Sequence, residues 1–530
     1  MLRCEVAVIG SGFSGALTAR ILRTLGYDVA LLERGTHPRF AIGESSTPLA
    51  NLSLERLARR YDLDDCYQLA AHGRWVRRLP EIRRGLKRGF TFYRHHPGQP
   101  LAPHERMLVA ASPSDHVADT HWLRADVDHH FVRQAVAAGV AYLDRVELKT
   151  ATFDGRSARL SGVRLGGEPV DVRANFVIDA SGPAGFLART LRVPSGARRT
   201  VTRSALLFSH FENVRLVSDI AGGLSDGPYP DDWAAVHHLI DEGWMYSLRF
   251  DHGVTSAGFT LSPRGLSTLT RSARDANVMW CTLLGRYPTI AAAFGDARPV
   301  MPIAFRDGIQ HRLTRAAGER WLLLPHTFAF VDPLFSTGIA WSLRAVERVA
   351  LAFEPDSRGR RRRAPRAGDL ARYDELLAAE ADQIDRLVAG AYDAMGHFDL
   401  FAAHALIYFA MVSFAEVQQR VLAEQSVAWR GFLGVGDAAL HTLPNESRRR
   451  LRRITRGEAR EGSAMERRRY VEWVKAAIAT RNIGGFGDPA RHNLYPVDLD
   501  LLVERHALLG LSRDQLLAAL PLLRGGESTR

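Results

Sequence analysis

Lysine is almost missing from this 530-residue chain. Of 70 lysine and arginine residues only Lys87, Lys149 and Lys475 are lysine, leaving 67 arginines, and against 58 acidic residues the formal balance is +12. Such a charge raises the question of nucleic acid, since neutralising phosphates with basic side chains supplies most sequence-independent affinity. The arginines are spread along the whole chain, and no helix-turn-helix, zinc-finger or RNA-binding aromatic signature accompanies them, so no nucleic-acid partner is expected. Two dense runs, SRGRRRRAPRAG at 357–368 and ESRRRLRRITR at 446–456, read as contact surfaces, the first with the composition of an exposed linker. Cysteine is scarce too: Cys4, Cys66 and Cys281 match neither metal-type nor disulfide-type spacing. No mostly apolar run reaches the roughly 20 residues of a membrane span; the longest, FAAHALIYFAMVSFA from Phe401, contains His404 and reads as a buried helix. The opening residues enter a strand pattern without the progression of a secretory signal. A cytoplasmic location is the expectation.

What is present starts with CEVAVIGSGFSGALTARILRTLGYDVALLERG, which reads as strand, glycine turn, amphipathic helix and second strand. Gly10, Gly12 and Gly15 give G-x-G-x-x-G between strand and helix. The first permits the tight turn, the second lets backbone approach a pyrophosphate, and the third lets helix and strand pack closely. Glu33 ends the second strand, placed to accept ribose hydroxyls and to repel a 2′-phosphate. A dinucleotide site follows, with NADP disfavoured. RANFVIDASGPAGFLAR adds a strand ending at Asp179, with Gly182 just beyond, and RWLLLPHTFAFVDPLFSTGIAWSLRAVERVALAF adds strand, loop and long helix. Between them GVTSAGFTL and WMYSLRF alternate as antiparallel strands do, and beyond about Arg344 apolar residues recur at helical spacing.

Lys87 sits among arginines in RRGLKRGFTFY. The two residue types differ where it matters for reactivity: guanidinium stays protonated, whereas an ammonium can lose its proton when buried and become a nucleophile.

Together three segments resemble the flavin-dependent halogenases, within the FAD monooxygenase superfamily related to para-hydroxybenzoate hydroxylase. IGESSTP (Ile42 to Pro48) is similar to the family's Gly-Glu-Ser loop beside the flavin ring, LKRGFTF to the K-x-G-x-x-F segment that carries its catalytic lysine, and FVDPLFSTG (Phe330 to Gly338) to its flavin and halide loop. The likeness covers roughly residues 1 to 350. It implies an α/β fold: a Rossmann-like FAD-binding domain (1–60, 120–200 and 300–350), an inserted antiparallel β-sheet substrate domain (61–119 and 201–299) and a C-terminal helical region (351–530). It also implies FAD reduced by a separate NAD(P)H flavin reductase, a chloride or bromide ion, and an aromatic substrate, free or carrier-tethered. By the same resemblance Lys87 is the catalytic candidate. Gly43, Glu44, Ser45, Arg124, Asp332 and Pro333 join the turn residues, Asp179 and Gly182 at FAD. Ser336, Thr337 and Gly338 open a helix whose unpaired N–H groups suit a small anion, by resemblance halide.

The chain departs from the family in three places. The W-x-W-x-I-P signature reads GWMYSLRF, with Trp244 kept, Tyr246 at the second tryptophan, Leu248 for isoleucine and Arg249 for proline. Pro325 and His326 stand where a Gly-Asp pair meets the flavin's ribityl chain. Phe335 precedes Ser-Thr-Gly, where tryptophan halogenases have glutamate, so a phenol- or pyrrole-like substrate facing Trp244, Tyr246 and Phe335 is expected rather than free tryptophan. Two rivals stay open: a flavin monooxygenase on the same fold, favoured by Tyr246 and Arg249, and a FAD-binding protein without turnover. Asp128 reads as a flavin-site or capping residue, and Glu242 and Asp251 as candidate bases. His129, His130, His237 and His238 are adjacent pairs that do not face one site, so no metal is expected.

Overall fold

The computed structural model describes residues 1–222, 224–269, 275–421, 427–456 and 463–523. Strand Leu2–Ile9 is apolar where it is buried on both faces, as parallel strands are: it lies between Pro169–Asp179 and Val29–Leu32, parallel to both. Trp321–Leu323 extends the sheet on one side and Ala141–Leu143 on the other, again in parallel. Among the described residues this sheet has eight strands. Its glycine turn is dictated by close approach. Gly10 has φ +95°, and a Cβ there would lie 2.5 Å from the Ala180 carbonyl oxygen; a Cβ on Gly15 would lie 2.0 Å from that of Gly10. The helix Phe13–Thr24 can therefore descend directly onto the strand ends.

The second sheet, nine-stranded among the described residues, is ordered Arg298–Pro299, Ala205–Glu212, Val254–Leu261, Gly243–Arg249, Ala235–Ile240, Gly89–Arg94, Arg106–Ala110 and Leu494–Tyr495, with Ala304–Arg306 also on Ala205–Glu212. The expectation of an antiparallel sheet needs correction at two seams. Gly89–Arg94 runs parallel to Ala235–Ile240, and Leu494–Tyr495 runs parallel to Arg106–Ala110. Both seams join segments far apart in sequence, which supplies the long crossover that parallel pairing needs. The lysine segment itself, Arg84–Lys87, forms a separate two-stranded ladder with Asp119–Trp122. It lies hard against the large sheet: a Cβ on Gly85 would be 1.8 Å from the Arg249 carbonyl oxygen, and one on Gly89 2.1 Å from that of Val109. The glycine of the K-x-G motif is thus required by packing.

Helix Phe398–Val421 contains the apolar run and is long and apolar enough, by length and composition, to cross a membrane, yet 78% of its most apolar window is buried within the chain. Its His404 is satisfied by Ser447 Oγ and the Leu387 carbonyl, each at 2.7 Å, so it reads as the core helix that the sequence suggested. The arginine runs meet the chain's own groups: Arg361 donates to Glu5 and Arg448 pairs with Asp393 at 3.0 Å.

Helices Thr337–Phe353 and Ala367–Ala394 are joined by an ion pair with no exposure at either side chain, Arg348 to Glu380. Glu380 also accepts from Trp341 Nε1 (2.9 Å) and the Phe432 N–H (2.8 Å). Removing one partner of such a pair strands a buried charge, at a cost of about 3–5 kcal/mol. Arg348→Met is expected to lower stability by that amount in urea unfolding, and Arg348→Met with Glu380→Leu to recover most of it.

Candidate functional site

The glycine turn, the Ile42–Pro48 loop and the helix Arg124–Ala137 are tied by one guanidinium. Arg124 forms a two-pronged pair with Asp128, both bonds 2.8 Å, and its third nitrogen donates to the carbonyls of Ile42 (2.9 Å) and Gly43 (3.1 Å). Asp128 Oδ1 in turn accepts the N–H of Phe13 at 3.2 Å, the first residue of the glycine-turn helix. The Arg124–Asp128 carboxylate therefore closes a helix start, as capping requires. Glu33 accepts from the N–H and hydroxyl of Ser11 and from the Gly35 N–H at 2.8–2.9 Å. Burial alone would raise its carboxyl, but Arg39 and these bonds outweigh it and hold it at about 2, so it is charged at any working pH.

The residues fit a dinucleotide by a difference among the glycines. Gly10 and Gly15 are demanded by the chain's own atoms. A Cβ on Gly12 would touch only Arg124 and Asp128 at an ordinary 3.7 Å, and one on Gly182 (φ +62°) would meet nothing within 4 Å. The backbone at Gly12 is therefore bare at a helix N-terminus without the chain's own packing demanding it, which leaves room there for a pyrophosphate. Asp179, fully buried, commits both oxygens to the N–H groups of Ser181 (2.9 Å) and Leu187 (2.7 Å), shaping the loop that carries Gly182.

Lys87 is wholly buried. Its Nζ donates to the carbonyl of Ser46 at 2.5 Å and stands 4.0 Å over the Phe90 ring. Ser46 belongs to the Gly-Glu-Ser loop, whose Ser45 bridges to His121 and whose Glu44 accepts from His210 Nε2 at 2.9 Å. Burial lowers the Lys87 ammonium while the Asp119 carboxylate opposes that. The packing around it is aromatic: His237 stacks against Phe92 (4.6 Å) and Trp244 (5.2 Å), and Phe335 against Tyr408 (4.7 Å), itself edge-on to Phe90. Tyr246 adjoins Trp244, and burial, then the charge of Glu44, raises its phenol. The Lys87, Trp244, Tyr246 and Phe335 of the sequence reading are thus brought together.

The loop before helix Thr337–Phe353 is held in a strained form. Phe335 and Ser336 both adopt left-handed backbone, φ +68° and +52°, each costing about 1–3 kcal/mol for a residue with a side chain. Surrounding bonds enforce it: Tyr408 OH donates to the Phe335 carbonyl (2.8 Å), and Asp332 accepts from the Leu334 N–H (3.1 Å), Ser204 (2.6 Å) and Tyr392 (3.0 Å). Burial raises Asp332 to about 6. Ser336 makes no side-chain cap, so the ordinary capping role that its identity suggests is not the one it plays; the Ser336-Thr337-Gly338 backbone leads the helix into the site without it.

Other candidates are otherwise engaged. Glu242 accepts from Tyr287 OH (2.5 Å) and pairs with Arg286 (2.7 Å), while Asp251 is partly exposed beside Arg84. His130 pairs with Asp65 at 2.9 Å, and no group of metal-type ligands occurs among the described residues. Sequence reasoning missed Asp119, Asn51, His210 and Tyr408, whose place depends on strand register and a distant helix. His326, at the position of the usual aspartate, packs on Gly338; burial and the nearby Arg124 lower it to about 3, so a neutral imidazole replaces a carboxylate.

Comparison with known proteins agrees with this geometry. Residues 3–223 match a family model described as an FAD binding domain. The chain is 27% identical to tetracycline 7-halogenase of Kitasatospora aureofaciens over 75% of this chain and 71% of that protein. It is 28% identical to monodechloroaminopyrrolnitrin halogenase PrnC of Pseudomonas fluorescens over 63% of this chain and 59% of that one. The crystal structure of halogenase PltM in complex with phloroglucinol and FAD superposes with a TM-score of 0.83 at 23% identity, covering 92% of this chain and 99% of that one. The fold expected from the sequence, a Rossmann-like FAD-binding unit with sheet and helical additions, is the one observed.

The glycine contrast yields a test. Gly12→Ala is expected to leave the FAD-free protein's stability within about 0.5 kcal/mol while weakening FAD about tenfold or more, ~1.4 kcal/mol, by fluorescence titration. Gly15→Ala is expected to destabilise the fold itself.

Proposed function

We propose that this chain is a flavin-dependent halogenase: FAD, reduced by a separate NAD(P)H flavin reductase, O2 and chloride or bromide are used to halogenate an electron-rich, phenol- or pyrrole-like aromatic. The observation that carries the reading is the place of Lys87, bonded to the flavin loop at Ser46 and set over the Phe90 ring of a buried aromatic cluster. Bound reduced FAD supplies, with O2, the oxidising equivalent that turns halide into hypohalous acid. The chain's residues do the rest. Gly10, Gly12 and Gly15 receive the pyrophosphate, Glu33 the ribose, and Gly43, Glu44, Ser45, Arg124 and Pro333 the flavin end, on loops braced by Asp179, Gly182 and Asp332. Thr337 and Gly338 present backbone N–H groups to the halide, while the Ser336 N–H is held by the Pro333 carbonyl at 3.0 Å and fixes the turn that aims them. Lys87 directs the small, indiscriminate hypohalous acid to one ring carbon, by hydrogen bonding or through an N–halogen bond at its nitrogen.

The similarity of the chain to enzymes named for tetracycline and aminopyrrolnitrin halogenation supports an aromatic acceptor. Trp244, Tyr246 and Phe335 are the residues that meet it. The hydroxylating alternative drew on the altered signature, and Arg249 bears on it: its guanidinium donates to the carbonyls of Val214 (2.9 Å) and Arg215 (2.6 Å), so the lost proline is absorbed by a local tie.

The test is incubation with FAD, a flavin reductase, NADH and bromide, reading phenolic and pyrrolic probes by mass spectrometry against a no-enzyme flavin control. Enzyme-dependent bromination is expected. Lys87→Ala should reduce it by roughly two orders of magnitude, in the range of a lost proton- or group-transfer residue, with FAD binding and NADH consumption retained. Lys87→Arg should be equally inactive, because guanidinium offers no unprotonated nitrogen. Oxygen insertion without bromine at any bromide level would sink the reading.

A further inference from the structure

Lys87 stands directly opposite Asp119 in the antiparallel ladder, so the two side chains project from the same face. Both are buried, with 0% and 2% exposure. Their polar surroundings are sparse. Beyond the Ser46 carbonyl and the Phe90 face, Nζ has no hydrogen-bond acceptor among the described residues. Asp119 Oδ1 accepts from Asn51 Nδ2 at 2.8 Å, while Asp119 Oδ2 and Asn51 Oδ1 have no partner. Three N–H donors with one acceptor, and a carboxylate with an empty oxygen, are a poor setting for two full charges and a good one for an amine and a carboxylic acid.

We propose that Lys87 and Asp119 share one proton, and that Asp119 accepts the proton Lys87 must give up before its nitrogen can take halogen. The inference rests on the reading of Lys87 as the halogen carrier. Nζ does not reach the Asp119 carboxylate directly, so the proton passes from the Lys87 ammonium to that carboxylate through a bridging water, leaving an amine and a carboxylic acid. The amine attacks hypohalous acid: an N–halogen bond forms, the O–halogen bond breaks, and an amine proton leaves with the oxygen as water. Transfer to the ring then forms the C–halogen bond, breaks N–halogen, and returns the displaced ring proton to the nitrogen. Asp119 touches no substrate in this sequence; it is a positioning residue acting through Lys87.

Groups on every neighbouring element act on the pair. Burial pushes the Asp119 carboxyl up, Lys87 pulls it down, and from helix Phe398–Val421 Glu416 raises and Arg420 lowers it. His121, on the Asp119 strand, and His237, in the aromatic cluster, are lowered to about 3 by burial and then by Lys87, so neither competes for the proton. Tyr408 faces Asp119 as a neutral phenol, raised by burial and then by that carboxylate.

The scarcity of lysine makes the test direct. With ε-13C-lysine the FAD-loaded chain gives three side-chain signals, from Lys87, Lys149 and Lys475, and Lys87 is identified by its loss in Lys87→Arg. Two groups sharing a proton titrate in two macroscopic steps. The Lys87 signal is expected to move in two steps in the wild type. In Asp119→Asn it should move in one, displaced to lower pH, since the carboxylate that favours the ammonium is gone. A single step in the wild type, or a midpoint that Asp119→Asn leaves in place, would overturn the proposal. The wild-type titration stands even if the variant fails to fold. In turnover, Asp119→Asn should lower halogenation about tenfold or more and shift the acid limb of its pH profile, and Asp119→Glu should restore both. The NMR readout needs no halogenation, so failure of the halogenase reading and failure of proton sharing are separable.

Discussion

One hydrogen bond, from the buried Lys87 side chain to the Ser46 carbonyl, joins the Ile42–Pro48 loop to the strand Arg84–Lys87 beside the aromatic cluster. Its usefulness depends on both ends being immobile, since reactive groups must be held to within about 0.5 Å of a productive arrangement. The loop end is held by Arg124, which clamps the Ile42 and Gly43 carbonyls while paired to Asp128. The strand end is held by close backbone contact, with Gly85 against Arg249 and Gly89 against Val109.

The two kinds of buried charge in this molecule contrast in how they are satisfied. Arg348 and Glu380 face each other, and further donors and acceptors of the pair are met by Trp341, Phe432, Ala428 and Arg430. That arrangement keeps a buried pair charged and rigid. Lys87 and Asp119 are left short of partners, which brings their charged and neutral forms close in energy. Structure and reactivity are separated by how completely a charge is solvated by the fold.

The strained Phe335–Ser336 turn follows the same logic. Two successive residues with positive φ persist because Tyr408 from the long apolar helix and Asp332, braced by Ser204 and Tyr392, hold the loop from opposite sides. The C-terminal helices therefore shape the Phe335–Ser336 turn as well as burying apolar surface.

The glycine triplet, Glu33 and the K-x-G segment were legible because each answers a local demand: a turn, a close approach, a carboxylate at a strand end. Residue chemistry likewise marked Lys87 among arginines. Partners were not legible. Ser46 lies 41 residues and Asn51 36 residues before Lys87, and Tyr408 more than 300 after it. Whether Asp119 or Thr120 faces the lysine depends on a strand register that a one-residue slip would reverse. The sequence by itself determined which chemical groups exist and where the backbone had to be bare; only the tertiary structure decided which of them are buried together, because removal from water and close approach are properties of packing between distant segments.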